Sequence, residues 1–132
     1  MAELSKSGTP SPCSVEPPPN CRLPGLKAGE AIAAGDALYI KSDGKLWKAT
    51  GAANNAAAKV VGFAPQAASV NEACGCYFDM NFNYGAALTP GARYYLSGTV
   101  AGGLADAAST GGLTPVAYAV DATRIHVWAT RE

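Results

Sequence analysis

Asp43-Gly44 stands between two short runs, Ala37-Leu38-Tyr39-Ile40 and Leu46-Trp47-Lys48-Ala49, and no other feature constrains this chain as much. An Asp-Gly pair accepts the positive backbone angles of a tight chain reversal. The aromatic and aliphatic side chains on either side suit a pleated, half-buried surface. The text therefore predicts two antiparallel strands joined by a hairpin turn. Beyond the small-residue loop 51–58, Lys59-Val60-Val61-Gly62-Phe63-Ala64 reads as a third strand that Pro65 ends or bends. A fourth is predicted from Ala73 to Asn81, where alternation puts Cys74, Cys76, Phe78 and Met80 on one buried face. No segment sustains a 3.6-residue apolar spacing with capping signals, so helix is not expected as a main element.

The second half repeats this grammar. Thr89-Pro90-Gly91 resembles Ala34-Gly35-Asp36 as a turn, and Tyr94-Tyr95-Leu96 then stands where Leu38-Tyr39-Ile40 stood. Gly102-Gly103-Leu104 matches the second arm of the first hairpin, Val116-Ala117-Tyr118-Ala119 echoes Val61-Gly62-Phe63-Ala64, and Ile125-His126-Val127-Trp128 closes as a strand. A hairpin with two further strands does not bury its apolar face alone. The expected fold is all-β, a small β-barrel or β-sandwich built from two similar hairpin-containing halves.

Ahead of this body, residues 1–24 are rich in Pro and Ser, including the run Pro17-Pro18-Pro19. Proline fixes its own φ, lacks an amide donor and pushes its predecessor toward extended conformations. The segment is expected as an extended proline-rich N-terminal arm, the alternative being a disordered tail, with residues 25–132 as the β-rich domain. Cys13 and Cys21 flank the proline run, and a disulfide between them would close a small loop in the arm. The alternative is free thiols throughout, as befits a chain whose Met1–Ser14 stretch lacks the apolar core of a secretory signal.

Charge limits the partners. Ten basic residues balance ten acidic ones, and Lys41, Lys45, Lys48 and Lys59 are spread among neutral residues. A phosphate backbone demands a basic cluster, so nucleic acid is not an expected partner. No run approaches the ~20 apolar residues of a membrane-spanning helix, and no membrane partner is expected.

Chemistry is equally sparse. The only histidine, His126, alternates with Ile125 and Val127 and should face away from them, toward solvent or an interface. No glycine elbow surrounds a serine, so a catalytic triad is not expected. Cys74-Gly75-Cys76 is too tightly spaced, and Cys13 with Cys21 too widely, for a zinc knuckle. Cys74 and Cys76 are instead expected as buried free thiols. There is no acidic calcium loop and no phosphate cradle ending in Lys-Ser or Lys-Thr. The reading is a non-enzyme without cofactor, metal or catalytic residue. Trp47, Tyr94, Tyr95 and Trp128 remain as aromatics that either fill the core or anchor an interface.

The stretch Ala28-Gly29-Glu30-Ala31-Ile32-Ala33-Ala34-Gly35-Asp36-Ala37-Leu38-Tyr39-Ile40, with Ser42-Asp43-Gly44-Lys45-Leu46-Trp47-Lys48-Ala49, resembles capsid cement or head decoration proteins of tailed bacteriophages. Leu88-Thr89-Pro90-Gly91-Ala92-Arg93-Tyr94-Tyr95-Leu96 and Gly102-Gly103-Leu104 resemble segments of phage head-decoration and tail-associated β-domains. The resemblance implies a structural virion protein, made in the host bacterial cytoplasm, that sits on the outer capsid surface as a homotrimer. There it would clamp neighbouring major capsid protein subunits. It further implies that Pro17, Pro18, Pro19, Asn20, Cys21, Arg22 and Leu23 form a capsid-contacting arm. Two other uses of such β-text are a phage tail- or fibre-associated module and a small carbohydrate-binding or adhesion domain with Trp47, Tyr94 or Trp128 as a stacking platform.

Overall fold

The computed structural model of the protein describes residues 11–12, 22–52, 56–78, 80–85, 88–111 and 115–128. Within them the fold is all-β, with a single 3₁₀ turn at Ala56–Ala58 in the small-residue loop. The strands are β1 (Ser11–Pro12), β2 (Arg22–Lys27), β3 (Ala37–Ile40), β4 (Leu46–Lys48), β5 (Gly62–Phe63) and β6 (Ala73–Tyr77), followed by β7 (Met80–Asn83), β8 (Arg93–Leu96), β9 (Leu104–Ala105), β10 (Ala117–Ala119) and β11 (Arg124–Val127). All strand pairings are antiparallel, in two sheets ordered β2-β6-β5-β3-β4 and β1-β7-β11-β10-β8-β9.

With β1 set aside, the two orders are the same order written twice: β2 corresponds to β7, β3 to β8, β4 to β9, β5 to β10 and β6 to β11. The correspondence extends to register. Leu38 opposes Gly62 as Tyr94 opposes Ala117, and Ile40 opposes Leu46 as Leu96 opposes Leu104. It extends also to the backbone. Among the described residues the glycines with positive φ fall into two matched pairs, Gly35 (83°) with Gly91 (84°) and Gly44 (79°) with Gly102 (77°).

Gly35 and Gly91 each occupy the third position of a type II turn, closed by Asp36 N–H to Ala33 C=O (3.2 Å) and by Ala92 N–H to Thr89 C=O (3.0 Å). Thr89-Pro90-Gly91 is thus matched by Ala33-Ala34-Gly35, one residue earlier than the sequence comparison placed it. The Asp43-Gly44 hairpin is a type I turn, with Gly44 N–H bonded to Lys41 C=O (2.9 Å), followed by a glycine bulge in which Lys41 N–H reaches Lys45 C=O (3.0 Å).

Two cores result. The larger one takes Ala37, Phe63 and the partly buried Tyr39 and Tyr77 from the first sheet, and Met80, Phe82, Leu96, Ile125 and Val127 from the second. The smaller one lies on the other face of the first sheet, where Leu38, Leu46, Cys74 and Cys76 are covered by Ala28, Ile32, Ala64 and Ala68. The first sheet is therefore buried on both faces and the second on one.

The predicted single strand 73–81 is two strands in two sheets. Cys74 and Cys76 point into the small core, whereas Met80 and Phe82 point into the large one, and Phe78 at the junction is half-buried. The chain changes sheets between Tyr77 and Met80, a change that even spacing conceals.

β2 begins at Arg22, so Arg22 and Leu23, expected in the arm, are paired with Tyr77 and Cys76. Pro24-Gly25 fits within this edge strand because the register slips between Leu23 and Leu26, a bulge that spares a missing amide. Of the segment 1–21, the strand β1 alone is described: Ser11 and Pro12 lie beside Asn83 and Phe82. Cys13, Pro17, Pro18, Pro19, Asn20 and Cys21, with the pairing expected of the two cysteines, lie outside the described residues.

Candidate functional site: the outer face of the second sheet

Alternation along the second sheet sends Met80, Phe82, Tyr94, Leu96, Ala117, Ala119, Ile125 and Val127 inward. The intervening residues form its outer face. Asn81, His126, Tyr118 and Arg93 are successive cross-strand partners on β7, β11, β10 and β8, a row about 14 Å wide at ordinary strand spacing. Trp128 continues the β11 side of this row.

The row is packed against itself. Tyr118 lies 5.0 Å from Trp128 and 5.3 Å from His126 between ring centroids, and His126 meets Trp128 edge-on at 6.2 Å. The Arg93 guanidinium sits 6.0 Å over the Trp128 ring. At the other end His126 Nδ1 donates to Asn81 Oδ1 (2.8 Å), which fixes the ring's orientation. Contacts of this kind hold side chains in one arrangement before any partner arrives.

The sequence-derived aromatics separate accordingly. Trp128 belongs to the row, and Tyr95, half-buried, lies on the same face as Arg93 by alternation. Tyr94 is buried in the large core, which removes it from the interface set. Trp47 is pinned within the first hairpin: its indole N–H donates to Asp43 (3.2 Å), Lys41 lies 4.1 Å over its ring, and it packs against Gly29 so closely that any side chain there would collide. The backbone N–H of Lys45 and the Trp47 indole hold the Asp43 carboxyl below its usual range.

Tyr118 and Arg93 were not singled out by the sequence. The small-large-small pattern Ala117-Tyr118-Ala119 carried the signal, since two buried alanines on a strand place the tyrosine between them on the opposite face.

Other groups are structural. Lys45 Nζ donates to Asn71 Oδ1 (2.8 Å), and Lys48 lies 4.0 Å from Glu30, whose carboxylate also accepts the Lys48 backbone N–H (3.0 Å). These lysines brace loops and do not line a groove. Among the described residues no group of three or more His, Cys, Asp or Glu is placed to hold a metal ion.

Cys74 and Cys76 are free and buried, and burial raises both thiols, Cys76 to about 12. The native thiols are therefore expected to resist iodoacetamide at pH 8 and to label at once in denaturant, as read by peptide mass. Because the unfolded thiols ionise near pH 8.5 while the folded ones keep their protons, stability is expected to fall as pH rises above that value.

Asp121 closes the β10–β11 turn. Its carboxylate accepts the backbone N–H of Thr123 (2.9 Å) and of Arg124 (2.8 Å) and pairs with the Arg124 guanidinium at 2.7 Å. The Thr123 backbone bond first, and then the Arg124 side chain, lower its pKa from 3.8 to about 2. The folded state thus gains from Asp121 above the unfolded pKa and loses that gain as pH falls through about 2. The Asp121→Asn protein should melt below the native chain at neutral pH, with the difference vanishing near pH 2 in acid melts.

No protein-family model matches the chain, and no curated protein matches it in sequence.

Proposed function

We propose that this chain is a structural virion protein that binds the outer surface of a tailed-phage capsid and clamps neighbouring major capsid subunits, acting as a trimer and without chemistry. The observation that carries the reading is that both stretches resembling phage head proteins fold as the same unit. Residues 28–49 and 88–104 each give a type II turn, a strand and a return strand, with Gly35 and Gly44 in one matched by Gly91 and Gly102 in the other.

Supporting it is the outer face of the second sheet, a half-buried aromatic row with an exposed arginine. Tyr, Trp and Arg are the residues most enriched where protein interfaces carry their energy. The role is mechanical: many copies on a symmetric lattice turn modest contacts into lasting attachment.

The test uses the full chain and undecorated, expanded heads of its phage. Light scattering should give a trimer that co-sediments with heads and raises the temperature at which they burst. A monomer left in the supernatant overturns the reading. Attachment to tails in place of heads would make it a tail module, and binding to glycan arrays without heads would make it an adhesion domain.

A further inference from the structure

The outer row has a chemical bias that its aromatic content conceals. The rings already lean on one another: Tyr118 lies between His126 and Trp128, and the Arg93 guanidinium lies over Trp128. Such a cluster offers a visitor its edges and tips. A sugar needs an open ring face to stack on, whereas a protein surface can meet a ring edge. The tips can all donate: the Trp128 indole N–H and the forked N–H groups of Arg93 do nothing else, and the Tyr118 hydroxyl can donate as well as accept.

Charge points the same way. Arg93 is exposed, and among the described residues no carboxylate pairs with it. Asp121, at the end of the face, is already bound by Arg124. Asn81, Asn83, Tyr95, Tyr118, His126 and Trp128 bring no acid to the row. Among the described residues the row therefore carries one positive charge, Arg93, and no acid beside it.

We propose that the row Asn81–His126–Tyr118–Arg93 with Trp128 is the docking face of the protein, and that its occupant is an acidic, carboxylate-bearing patch on the outer surface of the coat subunit. The inference rests on the capsid reading and goes further by naming the surface, the anchors and the partner's chemistry. Arg93 meets a carboxylate with its guanidinium fork while Trp128 holds the stem in place. Tyr118 and Trp128 fill the desolvated centre, and His126, anchored on Asn81, keeps that centre rigid.

Binding of the full chain to undecorated heads is measured by co-sedimentation at fixed salt. The Arg93→Glu protein, altered at an exposed site, should melt like the native chain and bind at least about tenfold more weakly. Tyr118→Ala and Trp128→Ala should weaken binding comparably. Lys27→Glu makes the same charge change at an exposed residue of the first sheet and should bind within about twofold of the native chain. Raising the salt should weaken native binding more steeply than Arg93→Glu binding.

If Arg93→Glu and Trp128→Ala both load like the native protein, the docking face is elsewhere while the capsid reading stands. If the native chain ignores heads, the capsid reading and its coat-subunit occupant fall together. If Arg93→Glu lowers the mass of the free protein, the row joins copies of this chain and the proposal is overturned.

Discussion

Replacing Phe82 by alanine is expected to lower stability by about 3–5 kcal/mol and to melt both sheets together. Phe82 belongs to the second sheet and Phe63 to the first; both are fully buried, with ring centroids 6.4 Å apart at an interplanar angle of 51°. They meet in the core that the two sheets share, so removing either ring leaves a cavity that neither sheet can close alone. The Phe63→Ala change should cost a similar amount. In the double variant the costs should fall short of additivity by about 1 kcal/mol, the worth of the ring pair beyond area. Urea denaturation followed by tryptophan fluorescence and by far-ultraviolet dichroism checks this, because Trp47 reports on the first sheet and Trp128 on the second. Coincident curves and a coupled pair are expected. Separate transitions, with the two substitutions strictly additive, would mean that the sheets fold independently.

The second large effect should come from Gly102→Ala, about 3 kcal/mol, against about 1 kcal/mol for Gly44→Ala and Gly91→Ala. All three glycines hold φ between 77° and 84°, where an L side chain is strained. At Gly44 and Gly91 an added Cβ meets open space, so the cost is the backbone term alone. At Gly102 it would lie 2.9 Å from Asp36 Cγ and displace the buried carboxylate that accepts the Ala33 N–H (2.9 Å). Gly102 also fastens the second hairpin to the first half: its N–H donates to Ala49 C=O (2.7 Å) and its C=O accepts from Ala37 N–H (2.9 Å). Thermal melts should rank the variants with Gly102→Ala lowest by several degrees, since about 1 kcal/mol moves the midpoint of a domain this size by ~4 °C. Equal shifts at all three positions would show that the Asp36 contact carries no weight.

The parts of the fold that were legible in the sequence are those fixed by local chemistry. Asp43-Gly44 specifies its hairpin because few residues tolerate the Gly44 backbone, and the same holds for Thr89-Pro90-Gly91, where proline and glycine occupy the two positions that a type II turn assigns them. The doubling of the chain was visible in outline, although the sequence set Gly91 against Asp36 and the backbone sets it against Gly35. What was hidden depends on distant packing. The sheet change after Tyr77 leaves the apolar alternation of 73–82 unbroken, so no local signal marks it. Pro24 drew the arm boundary past Arg22 and Leu23, because a bulge on an edge strand looks like a strand breaker until its neighbour is known. Of the site, His126 facing outward was legible from alternation, with Trp128 left open between core and interface. Tyr94 was not, since Tyr94 and Tyr95 read alike until one is turned into the core and the other away from it.

The two matched units meet through unlike faces. By the paired registers Ala37, Tyr39 and Phe63, which line the large core, stand where Arg93, Tyr95 and Tyr118 stand on the outer face of the second sheet. The units are thus stacked front to back, a heterologous arrangement in which the surface offered outward by one is the counterpart of the surface enclosed in the other. A chain cut between Tyr77 and Met80 should reassemble from its two fragments, because the large core is complete only when both sheets contribute to it.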